Sequence, residues 1–132
     1  MAYLPIPLTP ELYTANLPYV DFIRGDRLRL LEATTRFVWE TARLDRQRGR
    51  ASAHLNLPLL VLQGEDDKMM DVTRTRRWFS RLDVEDKTYV AYPGAGHTLD
   101  FELDRRRYLA DMLAWLSDRL PSGSSGPTGG EP

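Results

Sequence analysis

One stretch limits what this chain can fold into: Leu57 to Leu103, LPLLVLQGEDDKMMDVTRTRRWFSRLDVEDKTYVAYPGAGHTLDFEL. Leu59, Leu60, Val61 and Leu62 follow Pro58 as a continuous apolar run that Gln63-Gly64 breaks. An unalternated run of this kind suits a strand covered by helices on both faces. Lys87 to Tyr92 reads as a second strand, with Thr88, Tyr89 and Val90 as β-favouring side chains and Pro93-Gly94 as its end. Between the two, Val72, Trp78, Phe79 and Leu82 recur at helical spacing, and Arg74, Arg76, Arg77 and Arg81 take the other positions. A strand, a crossover helix and a strand make one βαβ unit, whose strands are parallel and whose connection is right-handed. Asp67 and His97 then emerge at the C-terminal ends of two consecutive strands, where open α/β sheets assemble their sites.

These residues resemble the C-terminal part of an α/β-hydrolase, most closely the monoacylglycerol lipase and lysophospholipase group, also called serine aminopeptidase-like hydrolases. The resemblance is carried by the strand with Leu-Gln-Gly-Glu-Asp-Asp and by Asp-Lys-Thr-Tyr-Val-Ala-Tyr-Pro-Gly-Ala-Gly-His-Thr-Leu-Asp-Phe-Glu. In that family the acid of the triad follows the glycine of one strand and the histidine follows the next strand. Asp67 matches the acid and His97 the base, with register against the motif selecting Asp67 over Asp66. The order of acid before histidine is that of the α/β-hydrolase triad, in which a nucleophilic serine comes first. Taken singly, each residue has a plainer account. Asp66 or Asp71 could cap the helix that starts near Val72, and a histidine after Gly-Ala-Gly is ordinarily a loop residue. The pair, with its flanks, is what favours chemistry.

The serine is missing. No Gly-x-Ser-x-Gly occurs, and Gly123-Ser124-Ser125-Gly126 lies in a polar tail with no strand before it or helix after it. The oxyanion donors, which the fold takes from the residue after the nucleophile and from a loop upstream, are missing with it. The chain therefore reads as the C-terminal half of an α/β-hydrolase fold: a helical cap, then two parallel strands with crossover and C-terminal helices. By itself it is expected to be inactive and poorly stable. A second copy or an upstream half is expected to cover the exposed sheet edge. A different class of reading is a non-catalytic α/β module that binds a protein partner through that edge or the cap.

The resemblance implies acyl transfer to water through a serine ester, with no cofactor. Its substrate would be a small-molecule carboxylic ester such as a monoacylglycerol or lysophospholipid. Other residues carry less. His54 sits in a polar approach to the first strand, where a solvent-facing or capping role accounts for it. The arginines of Arg43 to Arg50 and Arg105 to Arg107 have acidic neighbours, and the net charge is only −1, so solvated helix faces explain them better than nucleic acid does. No His, Asp and Glu cluster has metal spacing. With no cysteine there is no thiolate site and no disulfide frame.

Four regions follow along the 132 residues. Residues 1–10 are expected to be an extended connection, not a leader or a membrane span, because Pro5, Pro7 and Pro10 interrupt any apolar run; location is left unknown, with the cytoplasm favoured. Residues 11–55 are expected to form the helical cap. Thr9-Pro10-Glu11 reads as a helix start, Pro18 divides the first apolar cluster, and Gly25 precedes a run into a longer helix. Thr9-Pro10-Glu11, Phe22-Ile23-Arg24-x-Asp26, Thr35-Arg36-Phe37 and Leu44-Asp45 resemble the cap of the same family. Residues 56–120 carry acid and histidine and close with a helix in which Tyr108, Leu109, Met112, Leu113, Leu116 and Leu120 form a stripe. Asp104 is its expected N-cap, with Leu103 and Tyr108 as a hydrophobic staple. Residues 121–132 are rich in Gly, Ser and Pro and expected to be disordered. Deleting Ser122 to Pro132 should leave the thermal midpoint unchanged in a melting experiment, because such a tail has little apolar surface to offset its ordering entropy. A midpoint lower by several degrees would show that it docks.

Overall fold

The computed structural model describes residues 2–51 and 55–120, so His54 and the Gly/Ser/Pro tail lie outside the described residues. Strand β3 spans Leu59–Gly64 and β4 spans Lys87–Tyr92, with helix α3, Val72–Ser80, between them. The strands pair in parallel and without offset, from Leu59 opposite Lys87 to Gly64 opposite Tyr92. Both strands thus end at the same level. The acidic loop and the histidine loop leave the sheet side by side.

The crossover is anchored at both ends by side chains that close its free backbone groups. Asp71 is the N-cap, its Oδ1 accepting from the Arg74 N–H at 2.9 Å. At the other end the Lys87 ammonium donates to the carbonyls of Phe79 and Leu82, at 3.2 and 2.5 Å, placing a cation at the negative end of the helix. Arg76 forms an ion pair with Glu65 in the acidic loop and lies over the Tyr89 ring of β4. The Arg76 and Glu65 side chains are 50 and 36 % exposed, so solvent screens the pair and its role is alignment.

A small core sits under the C-terminal ends of the strands. Tyr92, Ala95 and Tyr108 are buried, with Leu62, Val90, Leu99 and Leu109 packed against them. The Tyr92 hydroxyl donates to Asp111 Oδ2 at 2.8 Å on helix α4, Arg105–Ser117. Burial and that hydrogen bond push the phenol well above its usual range. Tyr108 donates to Asp100 in the turn Leu99–Phe101. Arg119 clamps Asp86 through two hydrogen bonds, at 2.8 and 2.5 Å, and tethers the far end of α4 below β4. The outer leucines of the stripe do not join this core, since Leu113 is 59 % and Leu116 42 % exposed. Leu59 to Leu62 are likewise only half-buried, a strand built for two covered faces that has them partly bare.

The N-terminal half holds a short antiparallel pair, which its prolines did not announce. Strand β1, Tyr3–Pro5, pairs with β2, Glu32–Thr34, in the register Tyr3 with Thr34 and Pro5 with Glu32. An edge position leaves proline's missing donor unneeded there. Helix α1 is Leu17–Gly25 and α2 is Thr35–Ala51. The Thr34 hydroxyl accepts from Phe37 N–H at 3.1 Å, so the strand turns directly into α2. The helix start at Thr9-Pro10-Glu11 is a single 3-10 turn, Pro10–Leu12, and Thr9 makes no side-chain cap bond. The Asp104 cap is not made either: its φ of −107° and ψ of 59° are not the extended geometry from which a cap side chain reaches back. Leu103 is 90 % exposed, so the expected staple is absent, and Tyr108 is held by the core and Asp100 instead. Among the described residues no helix is long and apolar enough to cross a membrane.

The two loops meet at Gly64. A Cβ on this residue would fall well inside contact distance of the Gly96 and Ala95 carbonyl oxygens, which are backbone atoms and cannot swing aside. Gly64→Ala is therefore expected to push the histidine loop off the strand end and destabilise the fold by about 1–3 kcal/mol, the usual cost of overpacking. Chemical denaturation of the two proteins measures this. Equal midpoints would show that the loops part without cost.

Candidate active site

The loop after β3 is sewn to the loop after β4 by main-chain hydrogen bonds before any site residue is reached. Glu65 N–H donates to the Tyr92 carbonyl at 3.0 Å and Asp66 N–H to the Ala95 carbonyl at 2.9 Å. Pro93 and Gly94 occupy the centre of the tight turn closed by Ala95 N–H on the Tyr92 carbonyl, with Gly94 at φ 77° as a type II turn requires. Asp66 is exposed, and its backbone makes that stitch. Asp71 is spent on capping α3.

Asp67 turns the other way. Its side chain is 4 % exposed, and each carboxylate oxygen has its own partners. Oδ1 accepts from the N–H groups of Met69 and Met70, at 2.8 and 2.9 Å, and Oδ2 lies 2.9 Å from Nδ1 of His97. Burial alone would raise its pKa. The His97 hydrogen bond and the Met70 and Met69 N–H groups outweigh burial and hold it below the ordinary carboxylate range. The carboxylate is thus ionised near neutrality and can only accept, so Nδ1 of His97 carries the proton and donates. In the neutral ring, Nε2 is then left with the free lone pair. The His97 side chain is 31 % exposed, enough to be reached from outside.

The histidine loop is held from the other side by residues far away in sequence. Thr98 N–H donates to the Tyr13 carbonyl at 2.9 Å, and the Tyr13 ring stands edge-on to the imidazole, 6.3 Å between centroids. Gly96 N–H donates to Glu102 Oε1 at 2.9 Å. Sequence reasoning missed Tyr13, Thr14 and Glu102. Only Glu102 carried a signal, as the last residue of the histidine motif.

The serines offer no partner to His97 among the described residues. Ser80 donates to the Arg77 carbonyl within α3, and Ser117 ends α4. Also among the described residues, no group of three or more His, Asp or Glu could hold a metal ion. An acid oriented by two backbone donors, an imidazole with a fixed tautomer, and an open Nε2 are the parts of a general base.

This arrangement lies within an α/β-hydrolase fold. The chain superposes on the crystal structure of Paleococcus ferrophilus monoacylglycerol lipase with a TM-score of 0.83 at 22% identity, covering 90% of this chain and 47% of that one. On a soluble variant of monoglyceride lipase from Saccharomyces cerevisiae, crystallised with a substrate analogue, the TM-score is 0.76 at 22% identity, over 90% of this chain and 44% of that one. The chain belongs to the family described as serine aminopeptidase, S33, whose profile matches residues 3–104. Phospholipase YtpA of Bacillus subtilis is 27% identical over 74% of this chain and 38% of its own length. Mouse monoglyceride lipase is 33% identical over 58% of this chain and 26% of its own. The chain thus spans less than half the length of these relatives.

The depressed pKa of Asp67 fixes the sign of a pH effect. A carboxyl group that ionises more readily folded than unfolded adds stability that is complete above its unfolded value, about 3.9. That increment is lost as pH falls through the lower folded value. Asp67→Asn has no such increment to lose, so its melting temperature should fall less between about pH 6 and about pH 3 than that of the unsubstituted chain. Thermal melts of both at the two pH values check this. Parallel losses would mean that Asp67 is not held ionised by these contacts.

Proposed function

We propose that Asp67 and His97 are the acid and base of a serine hydrolase that cleaves carboxylic esters of the monoacylglycerol or lysophospholipid kind. The serine is supplied by polypeptide outside these 132 residues. The observation that carries this reading is the 2.9 Å contact between Asp67 Oδ2 and His97 Nδ1, made at the level ends of two parallel strands. The similarity to a phospholipase and to monoacylglycerol lipases supports the choice of ester.

In this reading Nε2 of His97 takes the proton of the serine hydroxyl as its oxygen attacks the ester carbonyl. The ring, now cationic, faces the Asp67 carboxylate, which stabilises it and keeps its orientation. The proton passes from Nε2 to the leaving alcohol, and the acyl group stays on serine. Water then repeats the cycle: His97 takes its proton as its oxygen bonds to the acyl carbon, the acyl–serine bond breaks to release the acid, and the proton returns to serine. The half-buried faces of β3 and β4 receive the remaining strands and helices of the hydrolase. The segment from Pro10 through α2 forms the cap, with Leu17, Phe22, Leu28, Phe37 and Trp39, all exposed, available to an acyl chain or to the rest of the protein.

The test is steady-state ester kinetics on the polypeptide that contains this chain together with its serine. His97→Ala should abolish turnover, and Asp67→Asn should lower it by up to ~10⁴ by triad precedent. Asp66→Asn should be mild. Residues 1–132 alone should neither hydrolyse a chromogenic ester nor label with a fluorophosphonate. Near-normal turnover in His97→Ala or Asp67→Asn would defeat the proposal, and labelling of the short chain would overturn the external serine.

A further inference from the structure

Two residues with no place in the acyl-transfer steps, Glu102 and Thr14, are bonded to each other beside Gly96, the residue before His97. The Glu102 Oε1 oxygen accepts from the Gly96 N–H at 2.9 Å and from the Thr14 hydroxyl at 3.4 Å. Thr14 is 2 % exposed, and its hydroxyl also accepts from the Asn16 N–H at 3.1 Å, so the group is used both ways and its orientation is set. We propose that Glu102, aided by Thr14, is a positioning residue for His97, clamping the backbone that carries the imidazole onto the segment Tyr13 to Asn16. The inference rests on the reading of His97 as the base and deepens it.

The argument starts from the loop's composition. His97 follows Gly94-Ala95-Gly96, and glycines leave a chain with more freedom than a base at a fixed distance from its serine can tolerate. Asp67 fixes the ring at Nδ1, but a ring hydrogen bond alone lets ring and backbone move together. The backbone is held on both sides of His97. Glu102 holds Gly96 and is itself bonded by the Thr14 hydroxyl, and the Tyr13 carbonyl holds Thr98. Packing leaves little slack: a Cβ on Gly96 would lie 3.2 Å from the Tyr13 carbonyl oxygen and 3.3 Å from Glu102 Oε1. Further along, Asn16 Nδ2 donates to the Phe101 carbonyl at 2.8 Å, and the Tyr19 and Phe101 rings stack at 4.4 Å. Glu102 makes no salt bridge among the described residues, so its carboxylate serves these hydrogen bonds rather than a cation. A displacement of about 1 Å at a reacting group costs about 10²-fold in rate, which makes such a clamp visible in kinetics.

Two measurements test it. In the serine-containing polypeptide, Glu102→Ala should lower kcat about tenfold or more with KM within about twofold. Glu102→Gln keeps a carbonyl oxygen for Gly96 and Thr14 and should retain most of kcat, with Thr14→Val falling between. On residues 1–132, amide hydrogen exchange of the segment 94–99 should be faster in Glu102→Ala than in the unsubstituted chain and nearly unchanged in Glu102→Gln. An undiminished kcat in Glu102→Ala overturns the clamp. So does an equal loss in Glu102→Gln and Glu102→Ala, because geometry would then not be what matters. If Glu102→Ala fails to fold, Thr14→Val decides in its place, and full kcat with unchanged exchange there overturns the proposal. If the unsubstituted polypeptide turns over no ester, the esterase reading fails by itself and exchange alone judges the clamp. Exchange of 94–99 as fast in the unsubstituted chain as in Glu102→Ala then overturns it.

Discussion

The backbone carbonyls of Ala95 and Gly96 occupy the space where any side chain at position 64 would stand. That contact sets the distance between the acidic loop and the histidine loop, and everything at the site is downstream of it. With the strands paired from Leu59 and Lys87 to Gly64 and Tyr92, the two loops start level. The close approach lets Glu65 and Asp66 bond across to Tyr92 and Ala95. Only then does the chain reach Asp67, already aimed at His97.

The electrostatics of the pair follow from how few ways the carboxylate has to be satisfied. A buried carboxylate without partners would take up a proton, because desolvation disfavours its charge. Two backbone N–H groups on one oxygen and an imidazole N–H on the other reverse this. The reversal has a chemical consequence, since an acid that stays ionised dictates the tautomer of its histidine. Asp66, one residue earlier, has the same side chain and none of this environment. Its carboxylate is exposed while its N–H joins the loops.

Around this ordered centre the chain is unevenly covered. The core formed by Tyr92, Ala95 and Tyr108 lies beneath the loops, whereas the leucines of β3 and the outer face of α4 are partly bare. Hydrogen bonds and ion pairs, from Lys87 on the end of α3 to Arg119 on Asp86, fix the elements where apolar contact does not. A parallel pair is a form that proteins use with both faces covered. The order of the site therefore derives from polar and backbone contacts, at the strand ends and from the segment Tyr13 to Asn16, more than from the apolar faces of the sheet.

How much of this was legible from the residues differed with the range of the interaction. The βαβ unit was readable because an apolar run, a helical period and a turn pair are each encoded within a few neighbours: Leu59–Leu62, Val72 to Leu82, Pro93-Gly94. The candidacy of Asp67 and His97 was readable for the same reason, as a consequence of which ends those strands present, and register against the motif chose Asp67 over Asp66. The pairing of Tyr3–Pro5 with Glu32–Thr34 was not, because prolines hide an edge strand and its partner lies beyond a helix. Nor was the empty cap at Asp104, where the local motif was present but the chain's φ and ψ are not those from which a cap side chain reaches back. The support of the histidine loop by Tyr13 and Thr14 belonged to tertiary structure alone, and Glu102 was visible only as the end of the histidine motif. Thr14 and Glu102 stand 88 residues apart, and nothing in a threonine's neighbours records that its hydroxyl will meet a distant carboxylate. Local spacing dictates which elements form, whereas the meeting of distant polar groups exists only after those elements have packed.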